Sequence, residues 1–232
     1  MSSANLAPTA ILDHTSPEVA QTAARLGAAS PSPREFLRAA HRHITSVMRP
    51  VYSVEERYPV SRLLREARGS CSQRMACLEG LARAHGIPTR VRALFLKGHF
   101  WAPRLPLLSR FLPERSLMPW PQFFVDGDWT GFEETFAPLA ELALTARHRF
   151  TNRGVSMFDA VESTPVDFFG ALRRGGDPRA AEFDLTEFVV EDAGAFDSRD
   201  QLFERFNPDR SRMGRVLFDL VYGGRPIRRE PD

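Results

Sequence analysis

The sequence predicts a mixed α+β fold in one domain, and three local patterns support this class. Residues 71–85 place apolar side chains at helical spacing, which is typical of a helix with a buried face. Residues 89–96 alternate and are rich in apolar or β-branched side chains, which predicts a strand. Asp126-Gly127 is the strongest short-range signal for a hairpin turn. A chain of 232 residues, 43% of them hydrophobic, can bury one sizeable core.

The first 33 residues are rich in Ala, Ser, Thr and Pro, and we expect most of this segment to be flexible. A short helix is predicted within it from Ser16-Pro17-Glu18, because proline suits the first helical position. Residues 34–224 are predicted to form a single domain, and residues 225–232 a charged tail.

The domain is predicted to begin with a capped helix. Ser32 is its N-cap, Pro33 takes the first helical position, and Glu35 takes the reciprocal position of a capping box. His41 and His43 lie two apart on this helix and point in different directions, so we expect no metal pair there. We interpret both histidines as surface or boundary residues.

The predicted sheet follows residue 88. The strand at residues 89–96 leads into a proline-bearing loop that extends to about residue 119, and loops of this length are often lids or binding loops. A hairpin is predicted at residues 121–133. Further elements are predicted as helices at residues 139–147, 156–161, 198–206 and 215–222, and an edge strand at residues 188–190.

The composition of the chain argues against two classes of partner, nucleic acids and membranes. The formal net charge is only +2, from 31 basic and 29 acidic residues, so we expect no nucleic-acid partner. The chain has no apolar run of membrane-spanning length and no pattern of a signal peptide, so we expect no membrane partner and a cytoplasmic location. Two cysteines do not make a disulfide framework. No metal or cofactor is expected.

Cys71 lies in the first turn of the helix that follows Gly69-Ser70 and ends near Gly86. The free backbone N–H groups and the helix dipole in such a turn lower the pKa of a thiol and favour its nucleophilic thiolate. The same N–H groups can hold a developing oxyanion. The alternative is that Cys71 is a small buried hydrophobe. Cys77 is interpreted as structural, and about 9 Å between the two Cα atoms on one helix excludes a disulfide.

Two motifs in this region resemble the core of the transglutaminase-like superfamily. They are Gly69-Ser70-Cys71-Ser72-Gln73, before an apolar helix, and Gly86-Ile87-Pro88-Thr89-Arg90-Val91, which leads into the strand. The resemblance covers residues 55–136. It implies a papain-like fold, in which the cysteine-bearing helix packs on a small antiparallel sheet. It also implies that Cys71 is the nucleophile of a Cys-His-Asp triad.

The chain departs from the family at the triad histidine. In the family, a histidine begins the second strand, and the triad aspartate follows a tryptophan on the third strand. Met118 takes the histidine position here, Trp120 and Gln122 take the positions of the next tryptophan and a glutamate, and Glu133 takes the aspartate position. A methionine cannot accept or deliver a proton, so the resemblance leaves the catalytic base unassigned.

His99 is a candidate replacement for the missing histidine. It follows the first strand, and antiparallel pairing would bring it to the same end of the sheet as Met118. The alternative is a loop histidine that packs among Phe100 and Trp101. The catalytic candidates are therefore Cys71, His99 and Glu133, and the substrate-binding candidates are Gln73, Arg74, Trp101, Met118, Trp120 and Gln122.

Three functions remain open from the sequence. The resemblance implies cysteine-dependent acyl transfer or hydrolysis of an amide or thioester through an acyl-cysteine. The substrate would be a small molecule or a peptide, free or attached to a carrier. The second function is a non-catalytic member of the fold that uses the same cleft to bind a peptide or small molecule. The third is an apolar docking loop formed by Phe100, Trp101 and Phe111.

Overall fold

The structure is a computed structural model and describes residues 2–53 and 55–206. It confirms the predicted α+β class, with helices packed on a small antiparallel sheet. The helices are α1 (Pro17–Gly27), α2 (Pro33–Val47), α3 (Val60–Glu66), α4 (Cys71–Ala84), α5 (Leu139–Thr145), α6 (Met157–Ala160), α7 (Ala171–Arg174), α8 (Ala180–Phe183) and α9 (Arg199–Arg205). The strands are β1 (Arg49–Pro50), β2 (Arg68–Gly69), β3 (Thr89–Lys97), β4 (Arg115–Val125), β5 (Asp128–Gly131) and β6 (Val189–Phe196).

The main sheet contains the predicted strand and hairpin. Its strand order among the described residues is β5–β4–β3–β6, and every neighbouring pair is antiparallel. Asp126 and Gly127 form the turn between β4 and β5, and both have positive φ, as a tight hairpin turn requires. The edge strand β6 is longer than the predicted 188–190 because it pairs along most of β3. No helix in residues 2–53 and 55–206 combines the length and apolarity needed to cross a bilayer.

Two prolines lie inside β4, which explains why the sequence predicted a loop as far as residue 119. Phe124 donates its backbone N–H to the Pro88 carbonyl, on the side of β3. The backbone nitrogens of every second residue of β4, counted back from Phe124, therefore point toward β3. The nitrogens of Pro119 and Pro121 therefore point to the other side. On that side β5 pairs only with residues 122–125, so no N–H is needed at either proline.

Helix α4 is buried on all sides, whereas its sequence predicted one apolar face. Every residue from Ser72 to Arg83 is buried, including the charged side chains of Arg74 and Glu79. The helix is enclosed because α1, α2 and α3 pack on it from one side and the sheet from the other. Gly80 allows a close approach of α3, since a Cβ atom there would lie 3.0 Å from Val60. The cysteine-bearing helix is thus the centre of the fold.

The N-terminal segment packs into the core, in contrast to the predicted flexibility. Leu12 and Val19 are fully buried, and the predicted short helix is α1. Arg83 of α4 donates to the carbonyls of Ala4 and Ala7, which attaches the start of the chain to the central helix. The apolar side chains of this segment therefore decide its structure more than its small-residue composition does. The division into domains stays a prediction, and the helix at 215–222 and the tail at 225–232 lie outside the described residues.

His41 is fully buried, so its assignment to the surface or boundary is wrong. Its ring stacks on Phe158 at 4.3 Å between centroids. Its Nε2 lies 2.6 Å from the Phe158 carbonyl oxygen, so the imidazole donates there. Burial lowers the pKa of His41 to about 4, which keeps this ring neutral at pH 7. The sequence of α2 does not show this burial, because the residues that cover this face of the helix, 156–160, lie far along the chain.

Candidate active site around Cys71

Cys71 is the first residue of α4, as the sequence predicts. Ser70 and Gln73 form a complete capping box at this helix start, with the Ser70 backbone N–H donating to Oε1 of Gln73 over 2.8 Å. The Gln73 amide also donates to Ser53 and to the Glu55 carbonyl. Cys71 keeps intermediate exposure, whereas Cys77 is fully buried. A reagent can therefore approach Cys71 more easily than Cys77.

Burial raises the pKa of the Cys71 thiol to about 11, in contrast to the lowered value that the sequence predicts. The guanidinium groups of Arg104 and Arg74 oppose this effect, and so does a hydrogen bond from the backbone of Phe158. Desolvation nevertheless outweighs them, so the thiol is protonated at neutral pH. Burial also raises the pKa of the Cys77 thiol, well above its ordinary range.

Arg74 forms a buried ion pair one helical turn beyond Cys71. Its guanidinium lies 2.6 Å from Oδ1 of Asp159, and it also donates to Ser156 and Thr45. It stacks over the Phe158 ring at 4.4 Å from the centroid. Although burial acts in the opposite direction, hydrogen bonding and the charge of Arg74 lower the pKa of Asp159. This pair is therefore charged and balanced at neutral pH.

Arg104 is a second buried guanidinium whose charge acts on Cys71. Its Nε donates to Oδ1 of Asn152, and its Nη2 donates to the carbonyls of Arg153 and Val155. Asn152 adopts a left-handed backbone with φ of 53°, and its Nδ2 donates to the Phe100 carbonyl over 2.7 Å. Among the residues that the structure describes, no carboxylate lies within ion-pair distance of Arg104. Its hydrogen-bond acceptors are thus neutral oxygens.

Glu133 is buried and bonded to Trp120. The indole Nε1 of Trp120 donates to Oε2 of Glu133 over 2.5 Å. Burial raises the pKa of Glu133 to about 7, and the Trp120 hydrogen bond opposes this rise. Of the contacts described for Glu133, none is with Cys71 or His99. The carboxyl group therefore titrates near neutral pH while its described hydrogen bond goes to Trp120.

His99 is exposed at the end of β3, next to the ring of Phe188, with 5.3 Å between the ring centroids. The contacts described for His99 do not include Cys71 or Glu133, and no contact described for these residues joins any two of the three catalytic candidates. Trp101 is half-buried and donates its indole N–H to Oγ of Ser116 over 2.7 Å. The role of His99 as a base stays a prediction.

The loop between β3 and β4 contains both buried and exposed aromatic side chains. Phe100 is buried against Phe150, Phe168 and Phe188, whereas 75% of the Phe111 surface is exposed. Phe100 therefore belongs to the core and is not available to a docking partner.

The comparisons with known proteins place this arrangement in a family. The model of the transglutaminase-like superfamily matches residues 20–133, which contain Cys71 and end at Glu133. This core belongs to the transglutaminase-like superfamily. The predicted resemblance is therefore confirmed, and it supports a cysteine-dependent catalytic function in general.

Two solved structures are similar to part of this chain. A "Putative Cysteine Protease" from Cytophaga hutchinsonii is 16% identical over 55% of this chain and 39% of its own, with a TM-score of 0.41. A "putative protease" from Parabacteroides distasonis is 19% identical over 52% of this chain and 23% of its own, with a TM-score of 0.36. This chain thus spans less than half the length of either structure. No match was found among curated proteins.

The strand to which the sequence resemblance assigns the family's histidine position is β4. Met118, Trp120 and Gln122 are two residues apart along it and share one face. All three are buried, and Trp120 is completely so. The Oε1 of Gln122 accepts a hydrogen bond from Arg90 over 2.7 Å. A substrate cannot touch Trp120 without a rearrangement of the core, and substrate binding by the other candidates stays a prediction.

Four residues of the site were not among the sequence candidates, namely Arg104, Asn152, Ser156 and Asp159. The family resemblance ends at residue 136, and the last three lie beyond it. The spacing of Ser156 and Asp159 is a local signal for a helix start, and Ser156 does accept from the Asp159 N–H. That signal predicts α6, but it does not reveal the contact of both residues with Arg74.

Proposed function

We propose that the protein catalyses acyl transfer or hydrolysis at Cys71, acting on an amide or thioester through an acyl-cysteine. The observation that carries this proposal is the position of Cys71. Cys71 lies at the start of the central helix, within the residues that match the superfamily, and it keeps some exposure. The sequence resemblance assigns it the role of the nucleophile. The charges of the buried guanidinium groups of Arg74 and Arg104 act on its thiol. Such an arrangement costs stability, which is common where a site has a function.

The proposed reaction has two steps. The Cys71 sulfur attacks the carbonyl carbon and transfers its proton to a base, and the amine or thiol leaving group departs with a proton. Water or an acceptor nucleophile then attacks the acyl-cysteine and releases the free thiol. The free N–H groups in the first turn of α4 can hold the oxyanion in both steps.

The proposed base is His99, with Glu133 as the carboxylate. His99 lies in the loop between β3 and β4, and the same loop carries Arg104, whose charge acts on Cys71. This shared loop is the physical support for the proposal. A movement that brings the loop closer to α4 would be needed for direct proton transfer, since catalytic hydrogen bonds are often long before substrate binds.

Two observations favour a second candidate, a non-catalytic protein that binds a peptide or small molecule in the same cleft. The sequence resemblance assigns the family's histidine position to Met118. Burial also keeps the Cys71 thiol protonated at neutral pH. A site without a base and without a thiolate would still offer a cleft with buried cations for binding.

Trapping of an acyl-cysteine separates the two functions. The protein is incubated with p-nitrophenyl acetate, and its intact mass is measured by mass spectrometry. An enzyme of the proposed kind gains one acetyl group on Cys71 and then loses it by turnover. Cys71→Ala should not be acetylated, whereas Cys77→Ala, the matched control, should behave like the wild type. Acetylation that is equal in the wild type and Cys71→Ala would contradict the proposal.

A further inference from the structure

We propose that Arg199 is a positioning residue for the candidate nucleophile. It holds Ser72, the residue after Cys71, so that the free N–H groups at the start of α4 keep the geometry that an oxyanion requires. This inference rests on the proposed function. It assigns a role to a residue that lies well beyond residue 133, where the family match ends.

Arg199 contacts the central helix at two points. Its Nη1 donates to Oγ of Ser72 over 3.0 Å, and its Nε donates to Oε1 of Glu79 over 2.7 Å. Ser72 and Glu79 are seven residues apart, which is about two helical turns, so they lie on one face of α4. A single side chain at the start of α9 therefore restrains the first turn of α4.

Stability alone does not account for the Arg199–Glu79 pair. Both side chains are fully buried. Nη2 of Arg199 and Oε2 of Glu79 have no hydrogen-bond partner among the described residues. Taking two charges out of water is costly, and apolar side chains of similar volume are often at least as stabilising. The pair is therefore consistent with a role in fixing the geometry of α4.

The first turn of α4 contains two free N–H groups. The Gln73 N–H donates to Oγ of Ser70, and the Arg74 N–H donates to the Ser70 carbonyl. None of the hydrogen bonds between described residues uses the N–H of Cys71 or of Ser72. These two N–H groups are therefore the ones that can hold a developing oxyanion.

Both chain neighbours of Cys71 are fixed by side-chain hydrogen bonds. Ser70 forms the capping box with Gln73, and Ser72 accepts from Arg199. Helix ends fray readily because their terminal backbone groups lack partners within the helix. The contact with Arg199 thus restrains the residue that carries one of the two free N–H groups.

The backbone around Arg199 is anchored to the N-terminal segment. Asn5 donates its Nδ2 to Oδ1 of Asp197 over 3.0 Å, and Ile11 donates its backbone N–H to Oδ1 of Asp200 over 3.2 Å. These two acceptors lie on either side of Arg199 in the sequence. The guanidinium is therefore attached to a part of the fold that is itself held in place, as positioning requires.

Two reactions of the same thiol test the inference. Acetylation by p-nitrophenyl acetate places negative charge on a carbonyl oxygen. Alkylation by iodoacetamide displaces iodide from a saturated carbon and forms no oxyanion. Both rates at Cys71 are followed by peptide mass spectrometry under the same conditions. A change in the pKa or the accessibility of the thiol alters both rates in the same direction, so the ratio of acetylation to alkylation is the readout.

Ser72→Ala removes the acceptor of Arg199 but keeps the backbone N–H and the pair with Glu79. We expect it to lower the ratio by about tenfold, a part of the roughly 100- to 1,000-fold cost of losing an oxyanion donor outright. Arg199→Lys keeps a cation opposite Glu79, but its single nitrogen cannot occupy both donor positions, so it should lower the ratio in the same way. Urea titrations establish that each variant is folded.

Leu202→Ala is the matched control. Leu202 is fully buried on α9, so its truncation destabilises the same helix, but it takes no part in the hydrogen bonds of Arg199. Its free energy of unfolding should fall while the ratio stays at the wild-type value. An unchanged ratio in a folded variant of Ser72 or Arg199, or an equal fall in Leu202→Ala, would overturn the proposal.

Hydrogen exchange tests the positioning without acetylation. The Arg74 N–H, which donates to the Ser70 carbonyl over 2.9 Å, reports on the first turn, and the Leu81 N–H reports on the middle of the same helix. In Ser72→Ala, exchange at Arg74 should become about fivefold faster relative to Leu81, the effect of one hydrogen bond of typical net strength. An unchanged relative rate would exclude the restraint.

The two measurements separate this proposal from the proposed function. A wild-type protein that is not acetylated at Cys71, but whose Ser72→Ala variant shows the faster exchange, loses the proposed function and keeps the restraint by Arg199. Acetylation of the wild type with the same ratio in both variants removes only the positioning role.

Discussion

The pH dependence of Cys71 alkylation tests whether burial or the helix terminus controls this thiol. Burial raises its pKa from the ordinary value of 9.0 to about 11. Iodoacetamide reacts with the thiolate, whose population at pH 8 is about a hundredfold smaller when the pKa is two higher. We therefore expect the labelling rate of the folded protein to rise steadily with pH and to reach its midpoint near pH 11.

The midpoint of the rate profile is the quantity to measure, since steric access changes the rate equally at every pH. Urea-denatured protein is the reference and should show the midpoint of an ordinary thiol. Arg104→Gln should move the midpoint of the folded protein higher, because Arg104 is the strongest of the groups that lower the pKa of Cys71. A midpoint at or below that of the denatured protein would refute the reasoning. The N–H groups and dipole of α4 would then outweigh desolvation.

The raised pKa of the Cys71 thiol also makes the free energy of unfolding depend on pH in the alkaline range. The folded state holds the Cys71 proton more tightly than the unfolded state, so the stabilisation is fully present below about pH 9. It is lost as the pH rises through about 11, and it amounts to about 2.7 kcal/mol for a pKa difference of two. In urea titrations, the free energy of unfolding of the wild type should therefore fall between pH 9 and pH 11. The fall should be smaller for Cys71→Ala, which has no thiol to titrate.

Three further predictions follow from the other sites. Burial raises the pKa of Glu133 from 4.5 to about 7, so its stabilising effect is present below pH 4.5 and is lost as the pH rises through 7. Glu133→Gln should make the thermal midpoint depend less on pH between 4.5 and 7. The same pH dependence in the variant and the wild type would show that the pKa of Glu133 is not raised in the folded state. Leu12→Ala should lower the free energy of unfolding in urea by about 2–5 kcal/mol, because the side chain is fully buried. A loss under about 0.5 kcal/mol would mean that the N-terminal segment lies outside the cooperative core. His99→Ala should remove turnover and leave the thermal midpoint nearly unchanged, since the residue is exposed. Full turnover of His99→Ala on a substrate that Cys71→Ala cannot process would exclude His99 as the base.

The local patterns of the sequence were sufficient to predict the central elements. The capping box of Ser70 and Gln73 sets the start of α4, and therefore places Cys71 in the first helical turn. Asp126 and Gly127 adopt the positive φ values that a tight turn requires. These features depend on interactions between residues a few positions apart. Their physical cause is contained in the short segment itself.

The chemistry of the site depended on contacts that no local pattern contains. The helix start predicts a lowered pKa for the Cys71 thiol, but burial in the folded chain raises it, and the Phe158 backbone that bonds to the sulfur lies 87 residues further along the chain. Arg74 meets Asp159 across 85 residues, and Arg104 meets Asn152 across 48. Desolvation and ion pairing depend on everything that surrounds a group. The sequence by itself determined where the candidate nucleophile lies, and only the tertiary structure decided which charges act on it and whether it is ionised.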